Sequence, residues 1–96
     1  MAAYLIVDTL LENAGMYEEY KLKAKPLIEK FGGEYLARGG RMTVRETDLW
    51  SPARLVLIRF SDVETANRCL DSLEYQQILP ISKKSARRTA VVLEGL

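Results

Sequence analysis

Residues 54–70, Arg-Leu-Val-Leu-Ile-Arg-Phe-Ser-Asp-Val-Glu-Thr-Ala-Asn-Arg-Cys-Leu, change their hydrophobic period halfway. Up to Phe60 the apolar residues run together, as in a strand occupied on both faces. From Ser61 onward Val63, Ala66, Cys69, Leu70 and Leu73 recur at helical spacing. At the changeover Ser61 and Glu64 form a Ser-x-x-Glu capping box, in which two side chains satisfy backbone amides that the first helical turn leaves free. A strand over Arg54–Phe60 is therefore expected to pass directly into a helix.

The N-terminal half repeats this order. Ala3 to Val7 read as a buried strand, and Asn13 is a candidate N-cap for the helix that follows. Tyr17, Tyr20, Ala24, Leu27, Ile28 and Phe31 fall within an arc of roughly 100° at helical spacing, which makes one apolar face. Gly32 and Gly33 supply the left-handed residue that ends such a helix. Pro26 lies opposite the apolar stripe, so the Leu22 carbonyl it leaves without a donor is expected to face water. Glu34 to Arg38 read as a second strand, Gly39-Gly40 as a bulge or turn, and Arg41 to Thr47 as its polar continuation. Asp48 to Ala53, with Trp50, Ser51 and Pro52, then returns the chain as a hairpin. Beyond the second helix, Ser72 is expected to cap a short turn through Gln77 that Pro80 ends, and Thr89 to Glu94 form the last strand.

Strand, helix, strand, strand, helix, strand is the order of a ferredoxin-like βαββαβ sandwich of the α+β class. A four-stranded antiparallel sheet carries two helices on one face, and residues 1–96 are read as a single domain. Fourteen Lys and Arg against thirteen Asp and Glu give a net charge of +1, so no bulk field draws the chain to nucleic acid or to an anionic membrane. The absence of histidine excludes histidine-based triads and histidine metal ligation within one chain. One cysteine forms no internal disulfide, and no apolar run approaches membrane-spanning length, so a cytoplasmic protein with no metal and no cofactor is expected.

Two helices cover one side of a sheet, and the other side should then alternate with polar residues. Leu5-Ile6-Val7, Leu55 to Ile58 and Ala90 to Leu93 are instead continuous apolar runs. Four strands of about six residues present roughly 400 Å² in projection, near the largest apolar patch that a monomer tolerates. The expectation is a homodimer with its sheets face to face; the alternative is that short strands simply carry apolar residues on both sides.

Tyr17-x-x-Tyr20, the stretch from Phe31 to Gly40 with its paired glycines, Trp50-x-Pro52-x-Arg54, Phe60-Ser61 and Glu74-Tyr75 resemble a family of small stand-alone bacterial proteins known as a domain of unknown function. That family belongs to the dimeric α+β-barrel superfamily, with antibiotic-biosynthesis monooxygenases and muconolactone isomerases. The resemblance spans nearly the whole chain and implies a dimer with a pocket in each subunit between sheet and helices. Two places depart from the pattern: Cys69 and Leu70 stand where an aromatic pair is expected, and Ser82 where an arginine is expected after Leu79-Pro80. If those positions line the pocket, the ligand differs or is absent.

Arg59 interrupts an apolar strand, where a guanidinium needs either a ligand anion or a structural carboxylate such as Asp8 or Glu94. Arg38 beside Gly39-Gly40 reads as an anion nest or as a solvated strand end. Trp50 closes over a flat ligand or packs across a subunit boundary. Tyr4, Tyr17, Tyr20, Tyr35 and Tyr75 offer hydroxyls that polarise a carbonyl or phenol, with packing as the default role of Tyr17 and Tyr20. Cys69 lacks an activating base and reads as a small core residue. Lys83, Lys84, Arg87 and Arg88 offer four cations to an acidic substrate or to nucleic acid, but with no aromatic residue interleaved they read as a solvated basic segment. Arg38, Arg59, Trp50, Tyr20 and Tyr35 are thus the expected ligand-binding residues. The expected function is binding of a small anionic or aromatic organic molecule, with cofactor-independent oxygenase or isomerase chemistry as its catalytic form. The alternative is a non-catalytic ligand-binding or protein-interaction module.

Overall fold

A computed structural model describes residues 1–96. The elements are β1 (Ala3–Leu11), α1 (Ala14–Lys30), β2 (Glu34–Arg38), β3 (Leu55–Phe60), α2 (Val63–Asp71), α3 (Leu73–Ser85) and β4 (Ala86–Glu94). The strands form one antiparallel sheet in the order β2-β3-β1-β4, which is the ferredoxin-like arrangement, with a third helix beyond the two expected. None of the helices is long and apolar enough to cross a membrane.

The sheet alternates as a half-buried sheet must. Ala3, Leu5, Val7 and Thr9 of β1, with Val56, Ile58 and Phe60 of β3, are buried. Leu5, Val7, Val56, Ile58 and Phe60 among them form one core with Tyr17, Tyr20, Ala24, Leu27 and Ile28 of α1, Ala66 and Cys69 of α2, and Tyr75 of α3. Asn13 caps α1, its Oδ1 accepting from the Met16 amide at 3.0 Å. Gly32, at φ +82°, turns the chain out of that helix.

Four expectations change. Asp62, not Ser61, caps α2, because its carboxylate accepts from the Thr65 amide at 2.7 Å and an anion is the better acceptor at a helix N-terminus. Ser72 does begin a helix, with its Oγ accepting from the Tyr75 amide at 3.2 Å, but that helix runs through Pro80 to Ser85. Pro80 is exposed, as is Gln76, whose carbonyl the proline leaves without a donor, so water can serve it as it serves Leu22 opposite Pro26. Arg41 to Thr47 form no strand. The ladder ends where the Gly39 amide donates to the Leu55 carbonyl, and the Ala53 and Arg54 amides are taken by Asp8 instead of by a neighbouring strand. The first and last strands are longer than expected, reaching Leu11 and starting at Ala86.

Asp8 organises the long 39–54 connection. Its Oδ1 accepts from the Ala53 and Arg54 amides at 2.9 and 3.0 Å, and its Oδ2 from the Trp50 indole at 2.8 Å. Partial burial disfavours the ionised carboxyl, but the Arg54 amide, the Trp50 indole and the Ala53 amide outweigh it and hold the group below its ordinary value. The loop contact therefore contributes stability above about pH 4 and loses it as pH falls through the folded value. Trp50 emission should change only below the ordinary carboxylate range, and in Asp8→Ala it should already have its acid-form spectrum at neutral pH. An unaltered Asp8→Ala spectrum would show that the carboxylate does not hold the indole.

The face away from the helices is mixed. Ala37, Leu57, Ile6 and Val91 are cross-strand neighbours and form an apolar row across all four strands. On one side of that row lie Glu34, Arg59, Tyr4 and Leu93, and on the other Leu55, Asp8 and Thr89. The continuous apolar runs thus split by alternation, half of each facing the helices, and the open face is less uniformly apolar than expected.

Candidate functional site

On β4 the alternation places Ala86, Arg88, Ala90 and Val92 on the helix side, opposite Leu11, Thr9, Val7 and Leu5 of β1. A guanidinium is thereby carried under the helices. Its Cζ lies 4.9 Å from the centre of the Tyr20 ring, and its Nη2 donates to the Tyr75 hydroxyl at a long 3.4 Å. Nε and Nη1 are buried and have no partner, and neither has the Oγ1 of Thr9, the residue directly opposite. Ion pairs form only at Lys21–Glu18, Lys23–Glu19 and Lys30–Glu74, so no carboxylate answers Arg88. Buried charge without a counter-charge is costly enough to be rare outside binding sites.

The tyrosines come from two helices. Tyr17 and Tyr20 are one turn apart on the buried stripe of α1, with ring centres 5.2 Å apart. Tyr75, in the first turn of α3, meets Tyr20 edge-on, and the two hydroxyls are 2.7 Å apart, where either can donate. Burial is the main reason that Tyr20 holds its proton above the ordinary phenol range, with Tyr75 adding to the effect and Arg88 opposing it. Tyr20 therefore acts as a neutral hydrogen-bond group. Burial works against the charge on Arg88, while the negative charge that Tyr20 and Tyr75 would carry if ionised favours it. With Tyr20 protonated the burial cost is left standing, and the guanidinium stays charged because its ordinary value lies far above neutrality.

Two cavities share this cluster as a wall. The inner one, of about 40 Å³, lies between sheet and α1 and is lined by Tyr17, Tyr20, Tyr35, Tyr75, Arg38, Arg54 and Arg88 among others. The outer one, of about 310 Å³, lies between α2, α3 and β4 and is lined by Leu70, Asp71, Tyr75, Gln76, Leu79, Ser82, Lys83, Ala86, Arg88 and Ala90. Leu70 and Ser82, two of the positions that depart from the family pattern, thus lie on the outer cavity, whereas Cys69 is fully buried. No group of potential ligands suited to a metal ion occurs.

Of the five residues singled out in the sequence, Tyr20, Tyr35 and Arg38 come together on the inner cavity. The Arg38 guanidinium stacks 4.6 Å from the Tyr35 ring centre, and burial raises the Tyr35 hydroxyl while Arg38 opposes the rise. The anion nest does not form, because Gly39, at φ +69°, gives its amide to Leu55, and the Arg54 side chain fills the space a Cβ would need. Arg59 and Trp50 lie elsewhere. Arg59 stands exposed on the open face between Tyr4 and Glu34 in register, without the Asp8 or Glu94 ion pair considered for it. Trp50 is exposed and is held by Asp8.

Arg88, Tyr75 and Arg54 were not singled out as ligand-binding residues. Arg88 looked solvated because it follows Lys83, Lys84 and Arg87, all of which are exposed. Running the last strand back by alternation from Val92 through Ala90 would have turned Arg88 inward, and that signal was available. Cys69 is the core residue expected: burial above all, with Glu74 adding, pushes its thiol up to about 11. Iodoacetamide at pH 8 should label it far more slowly in native protein than in urea, as followed by mass spectrometry, and equal rates would mean that α2 opens readily.

A family model described as a domain of unknown function, DUF1330, matches residues 2–96. Among solved structures, a dimeric ferredoxin-like protein of unknown function from Jannaschia sp. CCS1 is 18% identical at a TM-score of 0.73, covering 99% of this chain and 100% of that one. A protein of unknown function from Rhodopseudomonas palustris is 15% identical at 0.73, covering 99% and 82%. SnoaB, a cofactor-independent oxygenase from Streptomyces nogalater, is 11% identical at 0.68, covering 99% and 93%. No curated protein matches. At these identities the solved structures establish the fold.

Proposed function

This chain belongs to the DUF1330 family, a domain of unknown function, and we propose that it binds a small organic anion between its sheet and its helices. The observation that carries the reading is the half-buried Arg88, whose Nε and Nη1 are out of water and have no partner. An anionic oxygen brought to these donors would answer the charge, with Tyr20 and Tyr75 as further hydrogen-bonding groups. Tyr35 and Arg38, on the same inner cavity, form its other end. The same donors would stabilise an enolate or phenolate oxygen, the kind of anion that a cofactor-independent oxygenase or isomerase handles. The description of SnoaB as such an oxygenase lends that form of the reading support.

A thermal-shift series with small aromatic and aliphatic acids tests it. At ligand concentrations near 100 times Kd, binding to the folded state adds about 2.7 kcal/mol, which should raise Tm by at least several degrees, and Arg88→Met should abolish the rise. If no acid shifts the parent protein, the reading is wrong.

The homodimer belongs to the same proposal, because the relative from Jannaschia sp. CCS1 is described as dimeric and the open face carries the Ala37–Leu57–Ile6–Val91 row. Strands of five, six, nine and nine residues give a face roughly 19 Å by 24 Å in projection, whose accessible area, larger by its side-chain relief, is of the order of the ~800 Å² per partner of a standard interface. Leu57→Lys places a charge at the centre of this row and should convert a dimer to a monomer in sedimentation at micromolar concentration. A parent chain that is monomeric there removes the dimer.

A further inference from the structure

We propose that the cleft between α3 and β4 is the ligand's entrance and the seat of its body, and that it selects a monocarboxylate of about ten non-hydrogen atoms with a compact apolar body. This rests on the reading of Arg88 as an anion site and adds where the rest of the ligand lies and what it is.

The cleft exists because of two small residues. Ala86 and Ala90 flank Arg88 at the alternate positions of the strand, so the guanidinium projects between two places where no side chain fills the gap beneath α3. The facing stripe of α3 is Tyr75, Gln76, Leu79, Ser82 and Lys83, one helical face over two turns. Tyr75 and Arg88 line both cavities and so form the partition between them. Beyond that partition lies only about 40 Å³, room for a water or two. The depression of about 500 Å³ that adjoins it at Lys21, Arg38 and Arg54 is lined mostly by charged side chains, so an apolar body fits the outer side, in the cleft of about 310 Å³.

Volume and charge define the class. At the ~30 Å³ a water takes in the liquid, the cleft has room for about ten waters, and a ligand of about ten non-hydrogen atoms, whose bonded atoms pack closer, fits within it. Leu70, Leu79, Ala86 and Ala90 supply apolar walls. The charged residues of the cleft are Arg88, Lys83 and Asp71, a net charge of one positive, which matches one carboxylate. A second carboxylate would meet Asp71 on the same wall. The Ser82 hydroxyl already donates to the Leu79 carbonyl at 2.8 Å, so toward a ligand it presents lone pairs and adds nothing for a second anion.

Phenylacetate, with ten non-hydrogen atoms, is the probe, with neutral 2-phenylethanol and the dianion terephthalate as controls in isothermal titration calorimetry. Phenylacetate should bind, and each control should bind at least ten-fold more weakly. Ala90→Leu fills the cleft at an exposed position and leaves Arg88 in place; it should weaken phenylacetate at least ten-fold, and Ala90→Val should give an intermediate loss. If Ala90→Leu binds phenylacetate as the parent does while Arg88→Met does not, the ligand reaches Arg88 from the Arg38 side and this inference falls with the anion site intact. Binding of terephthalate or 2-phenylethanol as tight as that of phenylacetate also overturns it. If other acids bind through Arg88 and phenylacetate does not, the ligand class is wrong; if no acid binds, the anion site itself falls.

Discussion

Arg88→Met should make the unliganded protein more stable by roughly 1–2 kcal/mol, a rise in Tm of roughly 5–10 °C for a chain of this size, while ending its response to carboxylates. In the parent, Nε and Nη1 are out of water and unpaired, and the one hydrogen bond to Tyr75 is 3.4 Å long. Replacing such a charge by an apolar side chain of similar length removes the desolvation cost and keeps the packing. Part of the gain is offset by losing the stacking on the Tyr20 ring, which contributes about 1–2 kcal/mol at a desolvated site. The Tyr20–Tyr75 hydrogen bond survives the change, since neither hydroxyl depends on Arg88 for it. Stability that rises as binding disappears is the signature of a charge kept for a ligand. If Arg88→Met instead unfolds the protein or lowers Tm by several degrees, the guanidinium is a structural partner of the tyrosines and the anion site loses its basis. Arg88→Lys is the companion measurement: an ammonium lacks the planar fork, so binding should weaken even though the charge is kept.

Gly33→Ala should destabilise by roughly 2–3 kcal/mol, a fall in Tm of roughly 10–20 °C, whereas Gly32→Ala should cost only about 1 kcal/mol. The two glycines are adjacent and serve for different reasons. Gly32 has φ +82° and open space where a Cβ would go, so alanine there meets only backbone strain. A Cβ on Gly33 would lie 2.5 Å from Ile28 Cγ2, 2.9 Å from the Ile28 carbonyl oxygen and 3.1 Å from Phe60 Cε1. That carbonyl accepts from the Gly33 amide at 2.9 Å, and Phe60 is fully buried, so neither can give way without opening the end of α1. Thermal or urea unfolding of the two variants side by side decides the point. Equal losses would mean that the chain leaves α1 by another path.

Much of the fold could be read from periodicity. The β2 limits, the Asn13 cap and the stripe Tyr17, Tyr20, Ala24, Leu27, Ile28 follow from local chemistry, since caps and apolar spacing act within a few residues. The errors came where two local signals competed or where the outcome depended on distant residues. Ser61 reads as the cap of α2, but its neighbour Asp62 carries the stronger acceptor and takes that place. Pro80 reads locally as a terminator, because local sequence does not say whether the carbonyl it strands will face water. Residues 41–47 carried strand-like residues but no partner, because Asp8, more than thirty positions away, had claimed the amides on the returning segment.

The site divides in the same way. Tyr20, Tyr35 and Arg38 could be picked from the sequence because each sits on an element whose face could be assigned. Arg59 and Arg88 looked alike, a cation in or beside an apolar strand, and the tertiary structure sent them to opposite faces. Hydrophobic spacing, caps and turn glycines therefore determined the order of elements and the α+β sheet, because those interactions are short in range. Which arginine is buried, which glycine is needed for space, and where a cavity remains were decided only when β4 met β1 and α3 closed over it, because desolvation and packing depend on neighbours that the chain brings together from far apart.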